Sequence, residues 1–276
     1  MGRIRRRKEP VVHTPENRSV ASANKSSSRA VIRQFHCLLR KKVRLEKQKV
    51  TPENARALAA VEHEIESLGG LDTYQKMSTI GQGNDRGGGS ERVFILWLKE
   101  QCMESASGKS KLKLLEVGAL KPDNYASCSS WLEVTPIDLN SQHPSIREQD
   151  FLKMDEVEHS GRWDLISLSL VLNFVPDAHD RGRMLRLAHA MVKAEGLLFL
   201  ALPLPCVHNS RYLTSDHLKA LMSAIGFDEL KARWKDGGKM AYWLYRKGTP
   251  SKDHLWHFRR KEVLLQGKRN NFAILL

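Results

Sequence analysis

This chain of 276 residues has no membrane-length apolar run, no paired cysteine motif and no complete glycine-rich phosphate loop. Its longest apolar stretches, near residues 165–175 and 197–207, fall short of the roughly 18 residues that a spanning helix needs. A soluble protein with no membrane partner is therefore expected. Cys37, Cys102, Cys128 and Cys206 lie far apart with no CxxC pair, which argues against a disulfide framework or a cysteine zinc site and suits a reducing, intracellular compartment. No metal ligand set is expected. The opening MGRIRRRKEP has clustered arginines with no apolar stretch behind them, so neither a signal peptide nor an anchor is expected from it. It also lacks the Ser or Thr that a myristoylation signal requires.

Acidic residues are scarce in one place only. The first 50 residues hold 15 Lys and Arg against 3 Asp and Glu, while the remaining 226 are nearly balanced at 30 against 28. The formal charge of +14 is thus an N-terminal property, and such an arm suits an anionic partner.

Along the chain, residues 1–29 are basic and rich in Ser, Asn and Pro, and are expected to be a disordered arm. Residues 30–49 place Val31, Phe35, Leu38 and Leu39 at helical spacing among basic residues, which predicts a basic amphipathic helix. Thr51-Pro52-Glu53 reads as a helix start, and Gly69-Gly70 as its stop. The two helices should form a hairpin. A Gly/Asn/Asp-rich loop follows, and then a helix from about Ser90 to Met103. Residues 30–108 are accordingly read as a helical extension and 109–250 as the main domain, with 251–276 a basic tail.

From residue 109 strands and helices alternate. Strands are predicted near 112–117, 131–138, 164–171 and 196–202, with a short one at 146–149, and helices at 177–193 and 215–225. A hairpin of 227–234 and 240–246 turns at Gly237-Gly238. Runs such as LISLSLVLNFV are apolar on both faces, which predicts a central α/β, doubly wound sheet covered on both sides.

In such sheets ligands bind beyond the carboxyl ends of the strands. Glu116 and Gly118 end the first strand, and Asp138 ends the second, 20 residues after Gly118. That is the spacing at which a carboxylate takes ribose hydroxyls. Asp150-Phe151 could meet an adenine. Ala119-Leu120-Lys121-Pro122 stand where a pyrophosphate loop needs its further glycines, and the connection is too short for a full phosphate-facing helix. An adenosine cofactor without phosphates, S-adenosylmethionine, fits better than NAD. An NAD-dependent oxidoreductase remains as an alternative.

The segments GGLDTYQKMSTIGQGNDRGGGS, LLEVGAL, IDLNS, QDFL, WDLISLSLVLNFVPDAHDRGRML and LFLALPLPCVHNSRYLT carry a resemblance. In them the chain resembles the class I S-adenosylmethionine-dependent methyltransferases and, within that class, the fungal 25S ribosomal RNA adenine-N1 methyltransferases. The resemblance implies a Rossmann-like methyltransferase sheet with a C-terminal antiparallel hairpin, preceded by the helical extension. It implies that Gly118 lies against the methionine part of the cofactor, that Asp138 holds the ribose, and that Leu139, Asp150 and Phe151 border the adenine. Gln82, Arg86 and Ser90 would belong to a lid over the cofactor carboxylate, which Arg86 could pair bidentately. Ser169, Asn173, Pro203, Pro205, Asn209 and Tyr212 would shape the pocket for the substrate base, by positioning and not by proton transfer.

The implied activity is methylation of adenine N1 in large-subunit ribosomal RNA during ribosome biogenesis, on an unpaired or flipped base. The implied setting is the nucleolus, with a monomeric protein whose basic arm contacts RNA phosphates. A non-catalytic S-adenosylmethionine sensor in growth signalling shares the core and the glycine-rich segment, and stays open as the alternative.

Overall fold

The mostly apolar runs at residues 112–117, 163–169 and 196–203 build the centre of a seven-stranded sheet. The computed structural model describes residues 30–70 other than 33 and 36, residue 73, and residues 89–101, 110–251 and 255–276. The expected disordered arm and most of the glycine-rich segment, with Gln82 and Arg86, lie outside the described residues.

The strands are β1 (Leu112–Val117), β2 (Leu132–Asp138), β3 (Arg147–Glu148), β4 (Trp163–Ser169), β5 (Val192–Pro203), β6 (Phe227–Trp234) and β7 (Met240–Lys247), in the spatial order β3-β2-β1-β4-β5-β7-β6. All neighbours from β3 to β5 are parallel, and β7 inserts antiparallel between β5 and β6.

Two of the expected strand limits differ by more than one residue. β4 stops at Ser169 because Leu170 turns to a φ of 58°, a conformation that ends pairing for a side chain of this size. β5 begins four residues early, at Val192, which pairs with Trp163 before a register irregularity and the positive-φ residue Glu195.

The longer helices are α1 (residues 37–46, with 30–32 and 34–35 also helical), α2 (Pro52–Ser67), α3 (Ser90–Glu100), α4 (Ala178–Met191) and α5 (Ser215–Ile225). Thr51 caps α2 by accepting from Asn54 N at 3.1 Å, with Pro52 in the first turn. Phe35 and Leu38 are buried, and Gln34 and Lys42 reach Glu64 and Glu62 of α2 at 3.1 and 2.8 Å. The helical pair folds as a hairpin on these contacts. At the end of α1, Lys47 pairs at 2.6 Å with Asp177, which itself caps α4.

Each face of the sheet has its own core. Leu115, Ile166, Leu168 and Leu200 pack under α4 and α5, and Leu114, Leu165 and Phe199 pack under Phe94, Trp97 and Leu98 of α3. Phe94 stacks on Phe199 with ring centroids 4.6 Å apart. Each such side chain contributes about 1.5–3 kcal/mol when fully buried, so the carboxyl edge of the sheet is held on a rigid base. Among the described residues no helix is long and apolar enough to cross a membrane.

Candidate active site

Parallel register brings together residues that are far apart in the chain. Val117 is level with Ile137 on β2 and with Leu168 on β4. One step further, Gly118 therefore stands between Asp138 and Ser169 at the carboxyl edge. Its N–H and that of Ala119 both donate to Ile137 O, at 2.8 and 3.0 Å, and close the turn. Gly118 has a φ of +75°, and a Cβ there would lie 2.6 Å from Val171 Cγ2. Only glycine leaves this backbone accessible without strain. The connection from Gly118 to β2 contains one three-residue 3-10 turn, Ala126–Cys128, and no helix that could face a pyrophosphate.

Glu116 is the chemically unusual group of the edge. Its side chain is 6% exposed. Oε1 accepts from Asn124 Nδ2 at 2.6 Å, while Oε2 is buried without a hydrogen-bond partner. Burial raises its carboxyl from the ordinary 4.5 to about 7; the Asn124 bond opposes the rise, and the nearby Glu91 carboxylate adds to it. Tyr125, fully buried beside Glu116, is held well above its ordinary value, chiefly by burial.

The expected cofactor residues fall as follows. Asp138 ends β2, with Oδ1 accepting from Asn140 N at 2.9 Å. Leu139 is 61% exposed, an apolar side chain left in water beside it. Asp150 caps the next turn by accepting from Leu152 N at 2.9 Å, and its other oxygen lies 4.0 Å from Lys153 Nζ. The Phe151 side chain is 3% exposed and belongs to the core under α4. Ser90 begins α3 after a left-handed Gly89, with no side-chain cap. The Ser90 hydroxyl is 2.6 Å from that of Ser169, which joins the end of the glycine-rich segment to the end of β4.

Of the residues expected to shape a base pocket, Asn173 lies in the turn after β4 with its Oδ1 buried and unpartnered. Pro205 and Asn209 bound a four-residue helix after β5 and are exposed. The tail pins both: Asn270 Nδ2 donates to Pro205 O at 2.6 Å, and Asn270 N donates to Asn209 O at 2.9 Å.

Glu116, Asn124 and Asn270 were not singled out as site residues by sequence reasoning. Glu116 carried a signal, as the acid that closes an apolar strand. Asn270 carried none, because its partners are some 60 residues away. Among the described residues no group of His, Cys, Asp or Glu could hold a metal.

A sheet ordered β3-β2-β1-β4-β5-β7-β6 with β7 antiparallel, a glycine turn after β1 and an acid ending β2 define the class I methyltransferase fold. The solved structure of the CurJ carbon methyltransferase has that fold, with a TM-score of 0.52 at 13% identity, covering 86% of this chain and 72% of its own.

Within this class the chain belongs to the family described as 25S rRNA (adenine(2142)-N(1))-methyltransferase, Bmt2, which residues 59–274 match. It is 34% identical to the 25S rRNA adenine-N(1) methyltransferase of Schizosaccharomyces pombe over 274 residues, 96% of this chain and 97% of that protein. It is likewise 34% identical to the 25S rRNA (adenine(2142)-N(1))-methyltransferase of Saccharomyces cerevisiae over 221 residues, 79% of this chain and 64% of that one.

Proposed function

We infer that the protein transfers a methyl group from S-adenosylmethionine to N1 of an adenine in 25S ribosomal RNA, as part of ribosome biogenesis. The observation that carries this is the carboxyl edge itself, in a chain of this family. It combines a bare glycine backbone at Gly118, a ribose-type acid at Asp138 and two buried oxygens, Glu116 Oε2 and Asn173 Oδ1, that lack donors.

The cofactor fits these residues. Its cationic methionine end would give Glu116 Oε2 the donor it lacks, its ribose hydroxyls would bond Asp138, and Leu139 would cover the adenine. Bound there, it supplies a methyl group already activated by the sulfonium. Adenine N1 brings its own lone pair, so the protein needs no strong base and works by orientation and exclusion of water. Asn173 Oδ1 would accept from the exocyclic amino group beside N1 and so fix which ring nitrogen faces the methyl. Ser169, held by Ser90, would keep the end of β4 in place. Pro205, Asn209 and Tyr212 would form the opposite wall, and Arg86 and Gln82 the lid over the carboxylate. The basic arm of residues 1–29 would add phosphate contacts, and the protein would act in the nucleolus as a monomer.

The test is primer extension across large-subunit ribosomal RNA from cells with and without the protein, because a methyl on N1 blocks Watson–Crick pairing and stops the polymerase. Loss of one adenine stop, restored by the wild-type chain and not by Gly118→Arg, is the expected result. An unaltered stop pattern would refute the activity and leave the cofactor-sensor reading standing.

A further inference from the structure

The tail, residues 255–276, divides its labour by residue type. Phe272 to Leu276 are buried. Leu275 N donates to Ala178 O at 2.9 Å, and the backbone there lies so close to α4 that a Cβ on Gly182 would sit 1.9 Å from Leu275 O. The buried Arg181 guanidinium donates to Ala273 O at 2.6 Å and to Val175 O through Nε at 2.8 Å, and lies 4.3 Å over the Phe272 ring. Ahead of this anchor the tail runs along the loop after β5. Leu264 N donates to Arg211 O, Arg211 N to Asn270 O, and Ser210 Oγ to Phe272 O.

Many described cations hold no carboxylate, and those on this stretch gather along one loop, residues 208–212. Lys42, Lys47 and Lys193 each hold a carboxylate within 2.8 Å. Among the described residues, Arg211, Lys261, Lys268 and Arg269 form no ion pair. Arg211 reaches Asn271 Oδ1 and Gly267 O, and Arg269 reaches Gln266 O and His208 O. Lys261 Nζ lies 5.6 Å from the centre of the Tyr212 ring, and Lys268 is exposed. Next to them Trp234, 39% exposed, meets the His208 ring edge-on at 5.4 Å. The hairpin end that carries Trp234 is tied to the same loop through Leu204 N to Lys239 O at 2.8 Å. Unpaired cations interleaved with accessible rings, on the rim of a pocket for a base, match a single nucleic-acid strand, which offers phosphates and π-faces in alternation.

We propose that the tail, folded over the loop at residues 204–213, forms a cationic ledge for the RNA strand flanking the target adenine. Phosphates lie on Arg211, Lys261, Lys268 and Arg269, and one neighbouring base stacks on Trp234. This rests on the ribosomal RNA reading above and extends it to a surface outside the catalytic edge.

The experiment uses the full chain and a fluorescein-labelled single-stranded RNA containing adenine, titrated across a salt series, with cofactor binding and methyl transfer to 25S RNA measured alongside. Lys261→Gln/Lys268→Gln removes two cations that hold no hydrogen bond. Its salt slope should fall by about 1.4, with at least a roughly fivefold loss of RNA affinity at about 0.1 M salt and unchanged cofactor affinity. Trp234→Ala should weaken binding by roughly fivefold or more while leaving the slope as in wild type, because stacking releases no counterions. Wild-type affinity and slope in the double variant, in a protein that methylates RNA normally, would overturn the ledge alone. A wild-type chain that binds cofactor but neither binds nor methylates RNA would overturn the function and the ledge together. Loss of binding to phosphatidylserine vesicles, with RNA binding intact, would assign the surface to a membrane and refute the proposal.

Discussion

Replacing Glu116 by Gln should remove a pH dependence of stability that the wild-type protein carries. The Glu116 carboxyl is raised from 4.5 to about 7 by burial, so the folded protein binds this proton more tightly than the unfolded chain does. A raised carboxyl contributes stability that is fully present below about 4.5, declines as pH rises through the interval and is gone above about 7. The interval spans about 2.5 pH units at about 1.4 kcal/mol each, or about 3 kcal/mol. Because the side chain is almost fully buried, solvent screening takes little from this figure.

The Glu116→Gln side chain keeps an acceptor for Asn124 and carries no charge at any pH, so the difference between the two proteins isolates this group. Wild type and variant should have similar stability near pH 4.5, and by pH 8 the variant should be more stable by about 3 kcal/mol, or roughly 6–12 °C in Tm. Thermal unfolding of the cofactor-free proteins across that range measures it. A difference that stays within about 0.5 kcal/mol from pH 4.5 to 8 would show that Glu116 ionises freely and that its second oxygen is not isolated. The same argument bears on function. A cation delivered to Oε2 favours the carboxylate, so cofactor binding near pH 6.5 should release about three-quarters of a proton from this group in wild type and none in the variant, read from calorimetry in buffers of different ionisation enthalpy.

Gly118→Arg should abolish cofactor binding by calorimetry, since its Cβ already meets Val171 and its φ is positive; Asp138→Ala should weaken binding roughly tenfold to a hundredfold by loss of charged hydrogen bonds, and unchanged affinity in both would refute the cofactor assignment. Asn173→Leu removes a buried carbonyl that has no partner, so the free protein should gain about 1–3 kcal/mol while methyl transfer collapses at unaltered cofactor affinity; a loss of stability would count against an unmet acceptor there. Deleting residues 1–29 should lower RNA affinity and its salt slope without touching cofactor affinity, and an undiminished slope would exclude the arm from phosphate contact. Gly182→Ala should destabilise the fold despite a helix-propensity gain of about 1 kcal/mol, because the added methyl meets Leu275 O; a rise in Tm would mean that the tail is not seated on α4.

Much of the sheet was legible because its strands announce themselves locally. β1, β4 and β5 are apolar on both faces, and Gly237-Gly238 marks the hairpin turn. The first half of the site was legible for a related reason. In a parallel sheet the chain distance from Gly118 to Asp138 is one strand plus one connection, so a spacing in sequence is also a position at the edge. Contacts that close the site from outside have no such spacing. Ser90 reaches Ser169 across 79 residues, and Asn270 reaches Pro205 across 65. Arg181 reads from sequence as one more charge on an amphipathic helix, yet its guanidinium is buried among backbone carbonyls.

The tail shows most clearly where local reading stops. Its alternation of basic and apolar residues permits either an RNA surface or a packed strap, and neither period nor composition separates the two. The separation comes from Gly182 and Arg181 on α4, which together create a place for the backbone of residues 273–275. With Phe272 to Leu276 in that place, residues 264–270 ahead of them run along the loop after β5. Anchoring the apolar end lays the basic part along residues 205–211, so if the proposed ledge is right, a variant that frees the anchor should lose RNA affinity in the same titration even though it removes no charge.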